Sequence, residues 1–353
     1  MGTVRRFGHL LRWLGPWSDP GSVPVSRGRG DGGRVLLIPG MHFRGVEDPR
    51  FMRFAGILRA AGATVTAADV VGLRELRLSP RMFEDAERAL LDASRDGPVG
   101  IMSVSFGSIV ALHLAAHFPE RVRRLVVFGG YRDLEAALSY ALGGPAAGRG
   151  LALGDVGYVR DPLNAPAVFI QLVDWVDELL PEGQREAFVQ ACQRFCAETW
   201  STGAGGSADA KHDGRHLRVG ARLAESLEGE ARALFRVACR LDGDAYGVAM
   251  AALARARERF GFLDPEPLLA RIRCEVDCVH GRDDDVIPYT ESEALADEIR
   301  RLGGRATAHI TGLYGHTGTR ASGASLRAAR ELVREGATMG AVLRVVERLV
   351  SRA

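Results

Sequence analysis

The chain has 353 residues, 46% of them hydrophobic and 25% charged, with a formal net charge of +2. This is the composition of a globular protein large enough for one core with an insertion, or for two domains. The near-neutral balance, without a basic stretch interleaved with aromatics, excludes a dedicated nucleic-acid binder. No run approaches the roughly eighteen apolar residues of a membrane-spanning helix.

Residues 1–33 form a basic N-terminal segment and a Gly/Pro/Arg-rich linker. Thr3-Val4-Arg5-Arg6-Phe7 has the outline of a twin-arginine export signal, but the apolar stretch after it is interrupted by Arg12 and ends at Gly15-Pro16 without a small-residue cleavage site. Phe7, Leu10, Leu11, Trp13 and Leu14 beside Arg5, Arg6 and Arg12 fit a short basic amphipathic helix. It is expected to dock on the protein's own body, with peripheral membrane contact as the lesser alternative.

From Arg34 the chain alternates between strand-like and helix-like patterns. Arg34–Ile38, Thr64–Asp69, Pro98–Ser103 and Arg124–Phe128 are short apolar or β-branched runs, and Phe51–Ala61 and Arg81–Ser94 are amphipathic at helical spacing. Such alternation predicts a mostly parallel twisted sheet with helices on both faces, an α/β architecture. The pattern breaks after Phe128. Pro162–Leu180, Gln184–Trp200, Glu230–Leu241 and Ala245–Phe260 predict helices, with Ser201–Asp209 as a connector among them. Strand pattern resumes at Glu275–His280 and Ala306–Thr311. The expected organisation is a core of residues 34–130 and 262–353 with a helical cap of residues 131–261 inserted between them.

The five cysteines, Cys192, Cys196, Cys239, Cys274 and Cys278, have no common zinc spacing. Cys274 and Cys278 on one strand would stand about 13 Å apart, too far for a bridge. Buried free thiols in a reducing compartment are the expected state. Among the histidines, His280 and His309 fall inside strand patterns and read as core residues. His113 and His117 share a helix face without a carboxylate to complete a metal site, and His212 and His216 sit in a charged, loop-like stretch. No metal site is expected.

The stretch Ile101-Met102-Ser103-Val104-Ser105-Phe106-Gly107-Ser108 joins a strand pattern to the apolar helix Ile109–His117. A nucleophilic serine at a sharp strand-to-helix turn needs small neighbours two residues to either side, and Ser105 has Ser103 and Gly107 there. Ser103 as the nucleophile would have Ile101 at that place and fits less well. A serine hydroxyl also needs a base, and the base needs an orienting acid. Both occur later in the chain, each after its own strand. Gly281-Arg282-Asp283-Asp284-Asp285-Val286-Ile287-Pro288 follows Glu275–His280, and Leu313-Tyr314-Gly315-His316-Thr317 follows Ala306–Thr311.

With its first glycine replaced by Ser103, this set resembles the α/β-hydrolase superfamily over about residues 34–128 and 275–317, including the phrase Phe118-Pro119-Glu120-Arg121-Val122. The resemblance implies the α/β-hydrolase fold with Ser105 as nucleophile, Asp284 as acid and His316 as base. Asp283 and Asp285 would be solvated or would cap the helix starting near Tyr289. The backbone N–H groups of Met41 and Phe106 would form the oxyanion hole, with Gly40 allowing close approach and His42 carrying no chemistry.

The implied activity is a cytoplasmic serine hydrolase of the esterase or lipase kind. It would cleave a carboxylic ester or related small acyl compound, with an apolar group, without metal or organic cofactor. An acyltransferase with the same triad and a non-water acceptor is one alternative, and a catalytically silent binding or scaffold member of the fold is another. Phe169, Trp175, Phe188, Phe195, Trp200 and Phe235 would mostly pack the cap, with a few lining an apolar pocket.

Overall fold

The computed structural model describes residues 32–143, 162–200, 214–312, 338 and 340–351. The N-terminal amphipathic segment, the Ser201–Asp209 connector, His212 and His316 lie outside them.

Six strands form one fully parallel sheet: β1 (Arg34–Ile38), β2 (Thr64–Ala67), β3 (Val99–Val104), β4 (Val122–Phe128), β5 (Glu275–Gly281) and β6 (Arg305–Thr311), in the order β2-β1-β3-β4-β5-β6. The chain winds outward from β1 to β2, then crosses back to β3 and continues the other way. The order therefore reverses between β1 and β3, and open α/β sheets bind ligands at that edge. Register brings the two strands out together, Ile38 pairing with Ser103, so the loops after them emerge side by side.

Strand alternation divides the apolar side chains between two layers. Leu36, Ile38, Ile101, Leu125, Val127, Val276 and Cys278 face one cluster with helices α2 (Arg81–Ala93) and α3 (Gly107–His117). Val35, Leu37, Met102, Val126 and Val279 face the other, against α1 (Pro49–Ala60) and the helical residues 340–350. Helix α1 starts where Asp48, at its N-cap, accepts from the N–H groups of Arg50 and Phe51, and Pro49 at the first position has no N–H to satisfy. Helix α3 is buried on nearly every side, as a helix between a sheet and a further layer must be.

Between β4 and β5 the described residues contain helices and no strand: α4 (Leu134–Ala141), α5 (Ala165–Trp175), α6 (Glu182–Thr199), α7 (Arg215–Ala224), α8 (Gly229–Ala238) and α9 (Ala245–Arg255). Two predicted helices are shorter than their apolar patterns. The run Pro162–Leu180 breaks at Val176, which turns extended (φ −118°, ψ 98°) between α5 and a short 3-10 turn. Ala245–Phe260 ends as an α-helix at Arg255 and continues as a 3-10 segment to Leu263. Helix α7 falls in the stretch read as loop-like. His216, Val219, Gly220, Leu223 and Ala224 make its buried stripe, a pattern hidden by Arg215, Arg218 and Arg222 around it. Phe169, Phe188, Phe195 and Phe235 are fully buried, with Phe188 and Phe235 edge to face at 6.2 Å. They pack the insertion itself.

Gln171 docks this insertion on the sheet's own loops. Its amide accepts from Leu78 N–H at 2.8 Å and donates to Leu76 C=O at 2.6 Å, holding the loop in which Leu76 takes a left-handed φ of 58°. Trp175 Nε1–H adds a bond to Leu78 C=O at 3.2 Å. All five cysteines are buried and free. No helix among the described residues is long and apolar enough to cross a membrane.

Candidate active site

Ser105 stands at the end of β3 with φ 51°, in the left-handed region that a non-glycine residue adopts only where the surroundings enforce it. Its N–H donates to Phe128 C=O at 2.8 Å, and Ser108 N–H donates back to Ser105 C=O at 2.9 Å as α3 begins. The turn is pressed against the loop after β1. A Cβ on Gly107 would lie 2.2 Å from Pro39 O, and one on Gly40 would lie 3.2 Å from Ser105 Cβ. Close approach therefore requires Gly107, while a Cβ on Gly40 would press on Ser105 Cβ and Val104 O. Ser103 is fully buried, a small side chain where the elbow demands one.

Met41 follows Gly40 and is partly buried against the core. Among the described residues no hydrogen bond of the fold occupies the N–H of Met41 or of Phe106, whereas His42 N–H is committed to Leu73 C=O at 3.1 Å. His42 is buried beside Asp48, with Nδ1 3.0 Å from Asp48 Oδ2. Its ring stacks on Phe43 and Trp200. Burial pushes its pKa down to about 4 against the opposing pull of Asp48.

Asp284 lies in the loop after β5 and is 3% exposed. Its Oδ1 accepts from the N–H groups of Val286 and Ile287, both at 2.9 Å. Its Oδ2 points toward Gly129, at 3.8 Å from where a Cβ would sit, and Gly129 has φ 67°. Since Phe128 pairs with Val104 across the sheet, Gly129 brings this carboxylate to the same sheet edge as Ser105. Helix α10 (Tyr289–Arg301) follows, with Pro288 at its N-cap and no side-chain cap. Neither Asp283 nor Asp285 caps it, because Pro288 stands between them and the helix start.

Three residues around this loop were not visible as partners from sequence. Tyr140 Oη donates to Asp284 C=O at 3.0 Å. Glu291, buried on α10, accepts through Oε2 from Arg132 and Asp133 N–H at 2.9 and 2.8 Å, and its carboxyl is held above the usual range by burial. His280, fully buried at the end of β5, has Nε2 3.4 Å from Asp284 Oδ2. The contacts of Tyr140 and Glu291 span more than a hundred residues, which no local spacing encodes. His280 did have a local signal, a polar ring directly before the Gly281 turn.

Elsewhere, the rings of His113 and His117 lie tilted at 4.1 Å, and Glu87 from α2 reaches His113 at 2.8 Å, a carboxylate that the helix-face pattern does not contain. No group of three potential metal ligands occurs among the described residues. His309 joins a buried ion cluster instead, with Nε2 3.0 Å from Asp277 Oδ1. Asp277 also meets Arg124 at 2.7 Å and Arg348 at 3.3 Å.

The sheet order, the turn from β3 into α3 through a strained serine, and the Asp284 loop after β5 are those of an α/β-hydrolase fold. Solved structures similar to this chain include 2-hydroxy-6-oxo-6-phenylhexa-2,4-dienoate hydrolase from Rhodococcus sp. strain RHA1, at 17% identity over 94% of this chain and 92% of that one, with a TM-score of 0.41. Another is the meta-cleavage product hydrolase of Pseudomonas fluorescens IP01, at 18% identity over 82% and 85% of the two chains and a TM-score of 0.39. A third is a serine hydrolase from the polyaromatic hydrocarbon-degrading bacterium Cycloclasticus zankles, at 18% identity over 81% and 83%, also with a TM-score of 0.39. No family model and no curated protein matches the chain.

Proposed function

We propose that the protein is a serine hydrolase that cleaves a small carboxylic ester, or a related acyl compound with an apolar group, through an acyl-enzyme on Ser105. The observation that carries this reading is the strained φ of 51° at Ser105, beside a loop so close that a Cβ on Gly40 would lie 3.2 Å from Ser105 Cβ. Strain of this kind costs on the order of 1–3 kcal/mol, and a hydroxyl held at a sharp strand-to-helix turn, 6% exposed, is what that cost provides.

In this mechanism Ser105 Oγ attacks the acyl carbon while His316 takes its proton. The negative oxygen that forms is met by the N–H groups of Met41 and Phe106. Asp284, its Oδ1 already fixed by two backbone donors, uses Oδ2 to orient His316 and support its positive charge. Collapse expels the alcohol, which takes the proton from His316. Water then attacks the acyl-enzyme with His316 again as base and releases the acid. The ring of Phe106, 5.3 Å from that of Tyr131, supplies an apolar wall beside the nucleophile.

Fluorophosphonate labelling and a chain-length series of p-nitrophenyl esters test the reading. Wild type and Ser103→Ala should label and turn over, and Ser105→Ala should do neither. A wild type that takes no label and hydrolyses no ester overturns it.

A further inference from the structure

His280 is a buried histidine to which the proposed reaction gives no part. Its Nε2 has two neighbours, Ile287 C=O at 2.9 Å and Asp284 Oδ2 at 3.4 Å. A carbonyl and a carboxylate both accept only, so Nε2 carries a hydrogen. Its Nδ1 is 2.7 Å from Ser292 Oγ on α10. With the hydrogen assigned to Nε2, Nδ1 is the acceptor and the Ser292 hydroxyl the donor. The longer 3.5 Å contact from Ser292 Oγ to Gly130 C=O is then secondary.

These bonds join three elements. His280 belongs to β5, Ile287 to the acid loop and Ser292 to the helix after it. The imidazole fills the space beneath the loop with no exposed surface, and Ser292 has none either. Of the two Asp284 oxygens, Oδ1 is tied to the loop's own N–H groups. Oδ2 faces Gly129 and His280, and its orientation depends on what stands behind it. The Nε2–H, hydrogen-bonded to Ile287 C=O with Oδ2 3.4 Å from the same nitrogen, stands there.

We propose that His280 is a positioning residue for the catalytic acid. Its Nε2–H braces the loop carbonyl and Asp284 Oδ2 together, so that Oδ2 is held toward the base. This rests on the reading of Asp284 as the acid of a serine hydrolase. Ser292, by donating to Nδ1, fixes the tautomer that the brace requires. The role differs from packing because it depends on a donor at one place on the ring. A side chain that fills the volume without an N–H cannot perform it.

The test compares His280→Leu, His280→Gln and Ser292→Ala with wild type in ester hydrolysis across pH. A misdirected acid supports the imidazolium of the base less well, so the acidic limb of kcat/KM should move to lower pH in His280→Leu. Its kcat should fall about tenfold, the order of one charge-assisted hydrogen bond. His280→Gln, whose amide restores an N–H, should recover most of both. Ser292→Ala should move them in the same direction by less, and carries the test where His280→Leu does not fold. In wild type labelled with 15N-histidine, the resonance lost in His280→Gln should show Nε2 protonated and Nδ1 bare.

Leucine and glutamine variants with equal losses and an unmoved pH limb overturn the proposal, and so does a hydrogen found on Nδ1 alone. A wild type that takes no fluorophosphonate overturns the hydrolase reading itself, and the positioning role falls with it. The nitrogen resonances report on the tautomer in either case.

Discussion

The Tyr131 hydroxyl donates to the Leu263 carbonyl at 2.9 Å, joining the residue where the chain leaves the sheet for the helical insertion to the one where it returns. Burial raises the Tyr131 phenol far above its ordinary range, so it remains a donor at every working pH. Around this bond, Arg132 reaches Glu266 at 3.0 Å and Glu291 holds the N–H groups of Arg132 and Asp133. The insertion is thus fastened at this stem as well as at the Leu76–Leu78 loop, and Tyr140 ties it to the Asp284 loop.

Removing the hydroxyl by Tyr131→Phe leaves the buried Leu263 carbonyl without that donor while the ring still packs on Phe106. The expected cost is about 1–2 kcal/mol of unfolding free energy in urea titration. Arg132→Ala removes a more exposed ion pair and should cost less than about 1 kcal/mol from that contact. Equal costs for the two would show that the stem is not held where the buried bond is.

The contact between Gly107 and Pro39 makes a sharper prediction. A methyl group 2.2 Å from a backbone oxygen cannot be accommodated by a rotamer change, so Gly107→Ala must move the elbow or the loop. We expect a loss of roughly 1–3 kcal/mol in stability and at least tenfold in kcat/KM. Gly183→Ala is the matched control, since it lies in the first turn of α6 with nothing within 4 Å of its Cβ. That change should raise stability by about 0.5–1 kcal/mol. A Gly107→Ala protein as stable and active as wild type would remove close approach as the reason for the glycine.

The sheet was legible because its strands are short apolar runs punctuated by turns: β1 and β6 stand within one residue of the bounds that alternation gives. The Ser105 turn was legible because its neighbours must be small, whereas the Asp284 loop was read from the resemblance of its Gly281-to-Pro288 frame to that of the α/β-hydrolase superfamily. Helix α7 was not, because arginines occupy its exposed positions and obscure the buried stripe. The helix break at Val176 was also hidden, since it depends on where α5 meets the Leu76–Leu78 loop. Tyr140, Glu291 and His280 take their meaning from tertiary contacts, which a one-dimensional pattern does not contain.

The buried thiols give a prediction independent of catalysis. Burial raises the thiol pKa of Cys192, Cys239, Cys274 and Cys278, to about 11 for Cys274 and about 12 for Cys278. Thiolate is the reactive form, so the folded protein at pH 8 should react with a thiol-disulfide reagent only as fast as it opens. Five thiols per chain should appear in denaturant. Rapid release of even one equivalent from native protein would contradict the burial of the whole set.

His42 makes the protein's stability depend on pH in a window of its own. Its pKa in the fold is pushed down to about 4 by burial, against about 6.5 in an unfolded chain. The unfolded state therefore takes up the proton first as pH falls. The stability associated with neutral His42 is complete above about 6.5 and is lost progressively down to about 4, about 3 kcal/mol in all. Asp48 and Asp277, both held below the usual carboxylate range against the opposing effect of burial, lose their contributions only at still lower pH. His113, also lowered by burial, adds to the slope in the same direction. Comparing wild type with His42→Phe subtracts that contribution and leaves a ring to stack on Trp200. Urea titrations at pH 7 and 4.5 should show a smaller loss in the variant than in wild type by about 2 kcal/mol, and parallel losses would exclude His42 as the titrating group.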